Sequence, residues 1–344
     1  MCKCGCGKSK ALRMGMVGLH FGRYIIRDSV PQDGKGLIQI TRVCDLLPEA
    51  LAEFSEYPGT QRFDDLLEDP DIDVIGLYSG PVGRAKLVER CLEAGKDVMT
   101  TKPFELDAAE AVRVLHKARE MGRVVHMNSP NARPQSDLQK LLDLLQEGAL
   151  GTPTLAISTV WVYYGPTEPS GTWYDDQSLC PVAPIFRLGI YPLNSLSQIF
   201  GPAKSVSAQS TRVETKRPTA DNGALSIVYE SGAIATMAAS FVVGGKDYYR
   251  NSITLGGTKG VAYLNVGPRP RVERPAPQLV LSTEDRLEEF ALTTSSGDYD
   301  WEFFYQRVTG QVAEDWTTPE QIGESIKIVD AMRRAEVSGK VEAV

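Results

Sequence analysis

The chain has 344 residues, of which 42% are hydrophobic and 24% charged, and its formal net charge is −7. This composition is typical of a globular protein, and the length predicts roughly two domains. The negative charge argues against sequence-independent binding of nucleic acid, which requires a basic face, and no apolar run reaches the roughly 18 residues of a membrane helix. We therefore expect neither a nucleic acid nor a membrane among the partners.

The N-terminal segment, residues 1–7, is rich in cysteine and is not followed by an apolar stretch. It therefore predicts no secretory signal and a cytoplasmic location, where cysteines stay reduced. Cys2, Cys4 and Cys6 alternate along the chain, and this spacing differs from the two-residue gaps of common zinc sites. A disordered tail is favoured over metal capture, and we predict no metal site.

Strands and helices alternate between Ala11 and Met127. Short apolar strands are predicted at 14–18, 37–43, 73–78, 98–99 and 124–127, with helices from about Arg23, over 48–53 and over 84–93. Asp107 and Glu110 have the spacing of a capping box and predict one more helix. This alternation predicts a parallel, doubly wound sheet.

Strands predominate after about Asn128. One helix is predicted over 186–200, a helical region over 301–312, and a last helix from Thr318, with Pro319 at its first position. We therefore predict a first domain over residues 1–128 and an α+β second domain over residues 129–344.

The turn after the first strand carries the glycines Gly15, Gly18 and Gly22. Glycines here allow backbone amides at a helix N-terminus to approach a pyrophosphate, as in dinucleotide-binding folds. His20 departs from this pattern, because it stands where the second glycine is expected. Asp45 ends the next predicted strand, where a carboxylate binds the adenosine ribose and repels a 2′-phosphate. Asp45 can also cap the following helix, and together these features favour NAD over NADP.

Lys102 follows a predicted helix end at Gly95 and a short strand through Met99. Pro103 restricts Lys102 to an extended conformation. The lysine is thereby held at the carboxyl end of a predicted strand, where open α/β sheets bind ligands. The alternative is an ordinary surface lysine in a strand–helix loop.

The order of these pieces resembles the Gfo/Idh/MocA family, named for glucose–fructose oxidoreductase and inositol dehydrogenase. The resemblance rests on the glycine turn, Asp45, Ser79-Gly80-Pro81, Ala94-Gly95-Lys96 and Thr101-Lys102-Pro103. It covers nearly the whole chain. It implies an N-terminal Rossmann domain that binds NAD(P), an open and mostly antiparallel C-terminal sheet domain, and a final helix, 318–338, that packs back on the first domain. The cofactor would contact Gly18, His20, Phe21, Gly22, Asp45, Ser79, Gly80, Pro81 and Lys102.

The match to the family's catalytic residues is uneven. Lys102 and Pro103 match, whereas Thr101 replaces a glutamate. In the helix over 186–200, Gly189 matches and Tyr191 takes the position of the catalytic histidine. Arg187 and Asn194 replace two aspartates. Trp173 lies in the loop where the family places groups that contact the sugar, or it anchors that loop.

These substitutions suggest an acid/base pair of Lys102 and Tyr191. A phenol accepts a proton from a carbinol only if its pKa, near 10, is lowered, and nearby cations would lower it. We expect Lys102 to lose its proton before Arg187 does, because arginine stays charged. Arg187 would bias the pair and bind a substrate carboxylate, or it would turn away to a neighbouring acid.

We therefore expect an NAD-dependent oxidoreductase that acts on a carbinol or ketone of a sugar, polyol or sugar acid. One alternative is a redox-neutral enzyme that oxidises its substrate transiently, as some relatives do. Another is a catalytically silent regulator that binds a nucleotide. The open sheet predicts a homodimer or homotetramer, because an apolar sheet face left uncovered is a liability.

Overall fold

The structure is a computed structural model that describes residues 10–244, 249–266, 278–313 and 316–344. The predicted tail with Cys2, Cys4 and Cys6 lies outside these residues. The first half forms a sheet of six parallel strands in the order β3-β2-β1-β4-β5-β6. Its strands are β1 Leu12–Val17, β2 Ile38–Cys44, β3 Gly59–Thr60, β4 Val74–Leu77, β5 Asp97–Thr100 and β6 Val125–Met127. The predicted parallel sheet is thus confirmed.

Helices connect these strands and cover the sheet. They are α1 Leu19–Tyr24, α2 Val30–Asp33, α3 Pro48–Ala52, α4 Asp64–Leu67, α5 Arg84–Glu93 and α6 Ala108–Glu120, and a π-helical turn, Ile25–Ser29, joins α1 to α2. Asp107 caps α6, since its side chain accepts hydrogen bonds from the Ala109 and Glu110 amides. The predicted start of the first helix near Arg23 is wrong, because the left-handed Gly18 ends β1 and α1 begins at once.

The second half forms a sheet of nine strands in the order β14-β13-β12-β11-β7-β10-β9-β8-β15. The strands are β7 Pro153–Val162, β8 Ala203–Thr211, β9 Asn222–Tyr229, β10 Ile234–Ser240, β11 Tyr249–Gly257, β12 Gly260–Leu264, β13 Gln278–Thr283, β14 Leu287–Ala291 and β15 Glu342–Ala343. The pair β7 and β10 is parallel, and the other neighbours are antiparallel. The sequence did not predict β14, whose residues alternate between half-buried and exposed.

The helices of the second half are α7 Ser136–Gln146, α8 Ile190–Phe200, α9 Trp301–Val308 and α10 Pro319–Ser338. A π-helical turn, Ile185–Gly189, leads into α8. The predicted start of α10 is confirmed, because Thr318 and Gln321 form a reciprocal capping box. In the described part of the chain, no helix combines the length and the apolarity that crossing a membrane requires.

Two late helices join the halves. α10 contributes Ile322 and Ile326 to the core of the first half, and Met332 and Ala335 to that of the second. α9 packs on the first half, where the Trp301 indole donates a hydrogen bond to Ser29 Oγ at 2.9 Å. The cleft between the sheets is therefore bridged by helices that lie far along the chain.

Candidate active site

A cavity of about 870 Å³ lies at the carboxyl ends of the parallel strands. Residues that follow β1, β2, β4, β5 and β6 line it on one side, and the second half supplies the other. Open α/β sheets bind ligands at this edge. Of the predicted site residues, the cavity is lined by Gly18, His20, Phe21, Asp45, Ser79, Gly80, Lys102, Trp173, Arg187 and Tyr191.

The turn between β1 and α1 depends on Gly18. Its φ is +86°, and an added Cβ would lie 2.8 Å from the Tyr78 carbonyl oxygen. Both facts exclude a side chain. Because Gly18 has no side chain, the start of α1 stays accessible, and the backbone amides there favour an anion. Gly22 faces away from the cavity lining and packs α1 on β1, since its added Cβ would lie 3.4 Å from Met16 Cε.

Asp45 ties the end of β2 to this turn. One carboxylate oxygen accepts the Leu19 amide at 2.7 Å, and the other accepts the Leu47 amide at 3.0 Å. Asp45 does not cap α3 directly, because Leu47 is the capping residue and has no side-chain cap bond. Leu46 and Leu47 line the cavity beside it and are 79% and 56% exposed. This end of the cavity therefore offers a carboxylate and apolar side chains, and fits the adenosine end of a dinucleotide.

Lys102 extends from the end of β5 toward the second half. Its ammonium donates a hydrogen bond to the carbonyl oxygen of Arg187 and lies 4.8 Å from the centroid of the Tyr191 ring. Burial, followed by the charges of Arg187 and Arg84, lowers the pKa of Lys102 to about 7. An amine with this pKa gains and loses a proton near neutral pH, the condition for general acid–base catalysis.

Arg84 is a residue that the sequence reasoning missed. It is buried at the start of α5, and its guanidinium donates to the carbonyl oxygens of Ser79, Thr101, Pro103 and Phe104. Arg84 thus fixes the two loops that carry the cavity lining around Lys102. Its position in an ordinary amphipathic helix gave no indication of this role.

Tyr191 lies in the first turns of α8. Its hydroxyl oxygen accepts a hydrogen bond from the side-chain amide of Asn128 at 3.1 Å, so its own proton is free to point elsewhere. Burial, and then the nearby Tyr299 and Tyr249 hydroxyls, raise the pKa of Tyr191 well above its usual value. The expectation that nearby cations lower this pKa is wrong, because burial of the phenol has the largest effect and raises it.

Asn128 connects the two halves of the site and was also missed. Its side-chain oxygen accepts from the Lys102 amide at 3.1 Å and from the Thr101 hydroxyl at 3.2 Å. Its nitrogen donates to Tyr191 and, at 3.1 Å, to the Gly297 carbonyl. The one available indication was its place directly after β6, at the edge where ligands bind.

The Arg187 side chain points into the cavity and is held between aromatic rings. Its guanidinium carbon lies 4.1 Å from the ring centroid of Tyr174, 4.8 Å from that of Phe241 and 5.7 Å from that of Tyr164. Within the residues that the structure describes, it forms no ion pair with a carboxylate. The alternative prediction, in which Arg187 turns away and forms a salt bridge with a neighbouring acid, is therefore not observed among the described residues.

The loop before α8 crosses the cleft onto the first half. Trp173 packs on Gly80 so closely that an added Cβ at Gly80 would lie 2.9 Å from the indole. The ring centroids of His20 and Tyr174 lie 6.3 Å apart. Trp173 thus anchors its loop and also lines the cavity.

Comparison with known proteins identifies the family of the chain. A model of the oxidoreductase family with an NAD-binding Rossmann fold matches residues 12–129, and a model of the GFO/IDH/MocA C-terminal domain matches residues 138–263. The chain belongs to the Gfo/Idh/MocA family. It is thus an NAD(P)-binding oxidoreductase of the dehydrogenase and reductase type.

Individual members of the family are distant in sequence. The dTDP-3,4-didehydro-2,6-dideoxy-alpha-D-glucose 3-reductase of Actinomadura kijaniata is 24% identical over 287 residues, covering 82% of each chain. The trans-1,2-dihydrobenzene-1,2-diol dehydrogenase of Mus musculus is 25% identical over 258 residues, covering 74% of each chain. A solved 3-ketoreductase from Actinomadura kijaniata, in complex with NADP and TDP-benzene, has a TM-score of 0.71 at 20% identity, covering 95% of this chain and 98% of that chain. This structural likeness confirms the Gfo/Idh/MocA fold.

Three predicted site residues are not brought to the cavity: Gly22, Pro81 and Asn194. Asn194 is buried on α8, and its amide donates to Ser129 Oγ at 2.8 Å. It lies about one helical turn after Tyr191 on α8, where it holds the segment that follows Asn128 without lining the cavity.

Proposed function

We propose that this Gfo/Idh/MocA oxidoreductase transfers a hydride between NAD and a carbinol or ketone carbon of a sugar-like molecule. The observation that carries the proposal is the meeting of Lys102 and Tyr191, which come from different halves of the chain and line one cavity with the Gly18 turn. When bound, the nicotinamide supplies or accepts the hydride.

Lys102 and Tyr191 would have different roles in the reaction, one in proton transfer and the other in hydrogen bonding. Oxidation of a carbinol requires a group that takes up the hydroxyl proton, and a neutral Lys102 amine with a pKa of about 7 suits this task. Tyr191 stays protonated, because its pKa is raised, and it donates a hydrogen bond to the reacting oxygen. In the reductive direction, the Lys102 ammonium returns the proton to the same oxygen.

The proposal of NAD rather than NADP rests on Asp45. Its carboxylate lies at the cavity wall and would repel a 2′-phosphate while accepting from ribose hydroxyls. Of the described residues 44–63 that line the cavity, none is cationic. The 3-ketoreductase named above has NADP bound, so we expect the preference to differ between members of the family.

The experiment is a test of label transfer with matched variants. Sugars, polyols and sugar acids deuterated at their carbinol carbons are incubated with NAD and the wild-type protein, Lys102→Met or Tyr191→Phe. We expect deuterium on the nicotinamide with the wild-type protein and a roughly 100- to 10,000-fold slower transfer with each variant. Product that forms without net reduced cofactor would favour the redox-neutral alternative. The absence of label on the nicotinamide across the panel would contradict the proposal.

We further propose a homo-oligomer that works in the cytoplasm. Leu155, Ile157 and Ile234 are exposed side by side on the outer face of the second sheet, and burial against a second copy would remove them from water. Three cysteines, Cys44, Cys91 and Cys180, are free and buried. Sedimentation velocity of the wild-type protein and of Ile157→Lys measures the assembly, and we expect the variant to dissociate.

A further inference from the structure

Arg187 has the features of an anion anchor rather than of a structural arginine. Its guanidinium lines the cavity, lies within 6 Å of three ring centroids and pairs with no carboxylate among the described residues. Two other buried or half-buried arginines have acidic or carbonyl partners, since Arg217 pairs with Asp175 at 3.0 Å and Arg84 donates to four loop carbonyls. The charge of Arg187 is thus left for a ligand.

The aromatic rings also fix where that charge is placed. Tyr174, at 4.1 Å, and Phe241, at 4.8 Å, restrict the guanidinium, so that little side-chain freedom is lost when a ligand binds. The main-chain carbonyl oxygen of Arg187 accepts a hydrogen bond from the Lys102 ammonium. Arg187 therefore links an anion subsite to the amine that handles the proton.

The second half contributes little negative charge to the cavity, so the subsite around Arg187 stays positive. Asp298 is the one carboxylate that the described residues of the second half contribute to the cavity lining, and one of its oxygens accepts the Ser295 amide at 2.9 Å. Two rings that flank Arg187, those of Tyr164 and Tyr174, line the cavity, as do the chain neighbours Trp173 and Leu188. These are aromatic and apolar side chains, which suit the face of a sugar ring but cannot neutralise a guanidinium.

We infer that the substrate is a sugar acid whose carboxylate binds the Arg187 guanidinium. The planar fork of arginine matches a carboxylate with two parallel hydrogen bonds. A single guanidinium without a carboxylate or carbonyl partner among the described residues favours a carboxylate over a dianionic phosphate. The other two cations of the described lining, Lys102 and Arg84, already donate hydrogen bonds to carbonyl oxygens. The inference deepens the proposed function and rests on it for the position of the reacting carbon.

The test is calorimetric titration of the protein saturated with NADH, so that binding is measured without turnover. The probes are D-glucuronate, D-galacturonate and D-gluconate, each with its neutral counterpart D-glucose, D-galactose or D-glucitol, and D-glucose 6-phosphate as the phosphate arm. We expect at least one acid to bind roughly 10- to 100-fold more tightly than its neutral counterpart. Arg187→Gln should abolish this preference and Arg187→Lys should retain part of it.

Arg250→Gln is the matched control. Arg250 also stacks on an aromatic ring, 5.0 Å from the centroid of Trp161, but it does not line the cavity. We expect this variant to keep the wild-type preference for the acid. Thermal melting of all three variants shows whether the fold is retained.

Three results would overturn the inference: no acid binds better than its neutral counterpart, the preference survives in Arg187→Gln, or the phosphate binds most tightly. These results differ from a failure of the proposed function. If neutral sugars transfer label to NAD and Arg187→Gln has no effect, the inference fails and the function stands. If acids bind through Arg187 but no label is transferred, the function fails.

Discussion

The side-chain nitrogen of Asn128 lies 3.1 Å from the phenol oxygen of Tyr191, and its side-chain oxygen lies 3.1 Å from the Lys102 amide. One buried amide therefore sets the position of both groups that we propose to act on the substrate. Because the nitrogen donates to the phenol oxygen, it also determines where the phenol proton can point. Asn128 is a positioning residue in this sense.

Asn128→Ala should lower kcat roughly 10- to 100-fold with little change in the KM for NAD, because the reacting groups lose their alignment and the cofactor turn is untouched. It should also lower the free energy of unfolding by about 1–3 kcal/mol, since polar groups lose buried partners. Steady-state kinetics and urea unfolding measure both effects. Asn194→Ala is the comparison, because Asn194 is buried and hydrogen-bonded but lies outside the cavity lining. We expect that variant to lose stability alone, and an equal loss of kcat in both would contradict the positioning role.

The oxidation rate should depend on the protonation of Lys102. Its pKa is lowered to about 7, so the amine is charged below this pH and neutral above it. The kcat/KM for oxidation should therefore rise with pH through about 7 and then level off, whereas the rate of reduction should fall above it. Lys102→Arg should remove this limb, because arginine does not deprotonate. Tyr191→Phe should have a lower kcat/KM but should keep the rise with pH through about 7. If this rise were absent in Tyr191→Phe, the titrating group would be the phenol and not Lys102.

Because its pKa is lowered in the native state, Lys102 should destabilise the folded protein at pH values where the unfolded chain holds the proton. The native state releases the proton near pH 7, whereas the unfolded chain holds it up to about pH 10.4. The unfolded state thus binds more protons between these values, so the free energy of unfolding should rise with pH across this window. The free energy of unfolding of Lys102→Met should therefore exceed that of the wild-type protein by up to about 4 kcal/mol at pH 6, and the difference should disappear toward pH 10. Urea unfolding at several pH values measures this, and an unchanged pH slope would count against a neutral amine in the native site.

Asp45 should determine the choice of cofactor. Asp45→Ser removes the carboxylate that accepts the Leu19 and Leu47 amides, and with it the charge that would face a 2′-phosphate. We expect kcat/KM with NAD to fall roughly tenfold and the ratio of NADP to NAD activity to rise. Kinetics with both cofactors tests this. A wild-type protein that prefers NADP would refute the role assigned to Asp45.

Gly18 should tolerate no side chain. Gly18→Ala forces a Cβ to within 2.8 Å of the Tyr78 carbonyl oxygen and strains a backbone at φ +86°. Gly36 has a similar φ of +80° but has nothing within 4 Å of an added Cβ, so Gly36→Ala isolates the backbone strain, about 1–2 kcal/mol. We expect Gly18→Ala to be the less stable variant in thermal melting and to lose NADH binding, whereas Gly36→Ala binds NADH normally. Similar binding by both variants would show that the turn does not hold the cofactor.

Much of the fold followed from local patterns. Alternating strands and helices predicted the parallel sheet, Thr318 with Gln321 predicted the start of α10, and the position of Lys102 after a buried strand predicted its place at the cavity. Each of these depends on residues close together in the chain. The start of α1 was misplaced because the left-handed conformation of Gly18 allows the helix to begin one residue after the turn.

By itself, the sequence determined the architecture and the edge of the sheet where Gly18, Asp45 and Lys102 meet, because parallel strands all end at one edge. Only the tertiary structure decided how Lys102 meets Arg187, 85 residues away, and how Asn128 meets Tyr191, 63 residues away. It also reversed the expected pKa of Tyr191 and turned Arg187 onto aromatic rings. Burial, ring stacking and the direction of a charge depend on which distant segments pack together, and no local pattern in the chain records that packing.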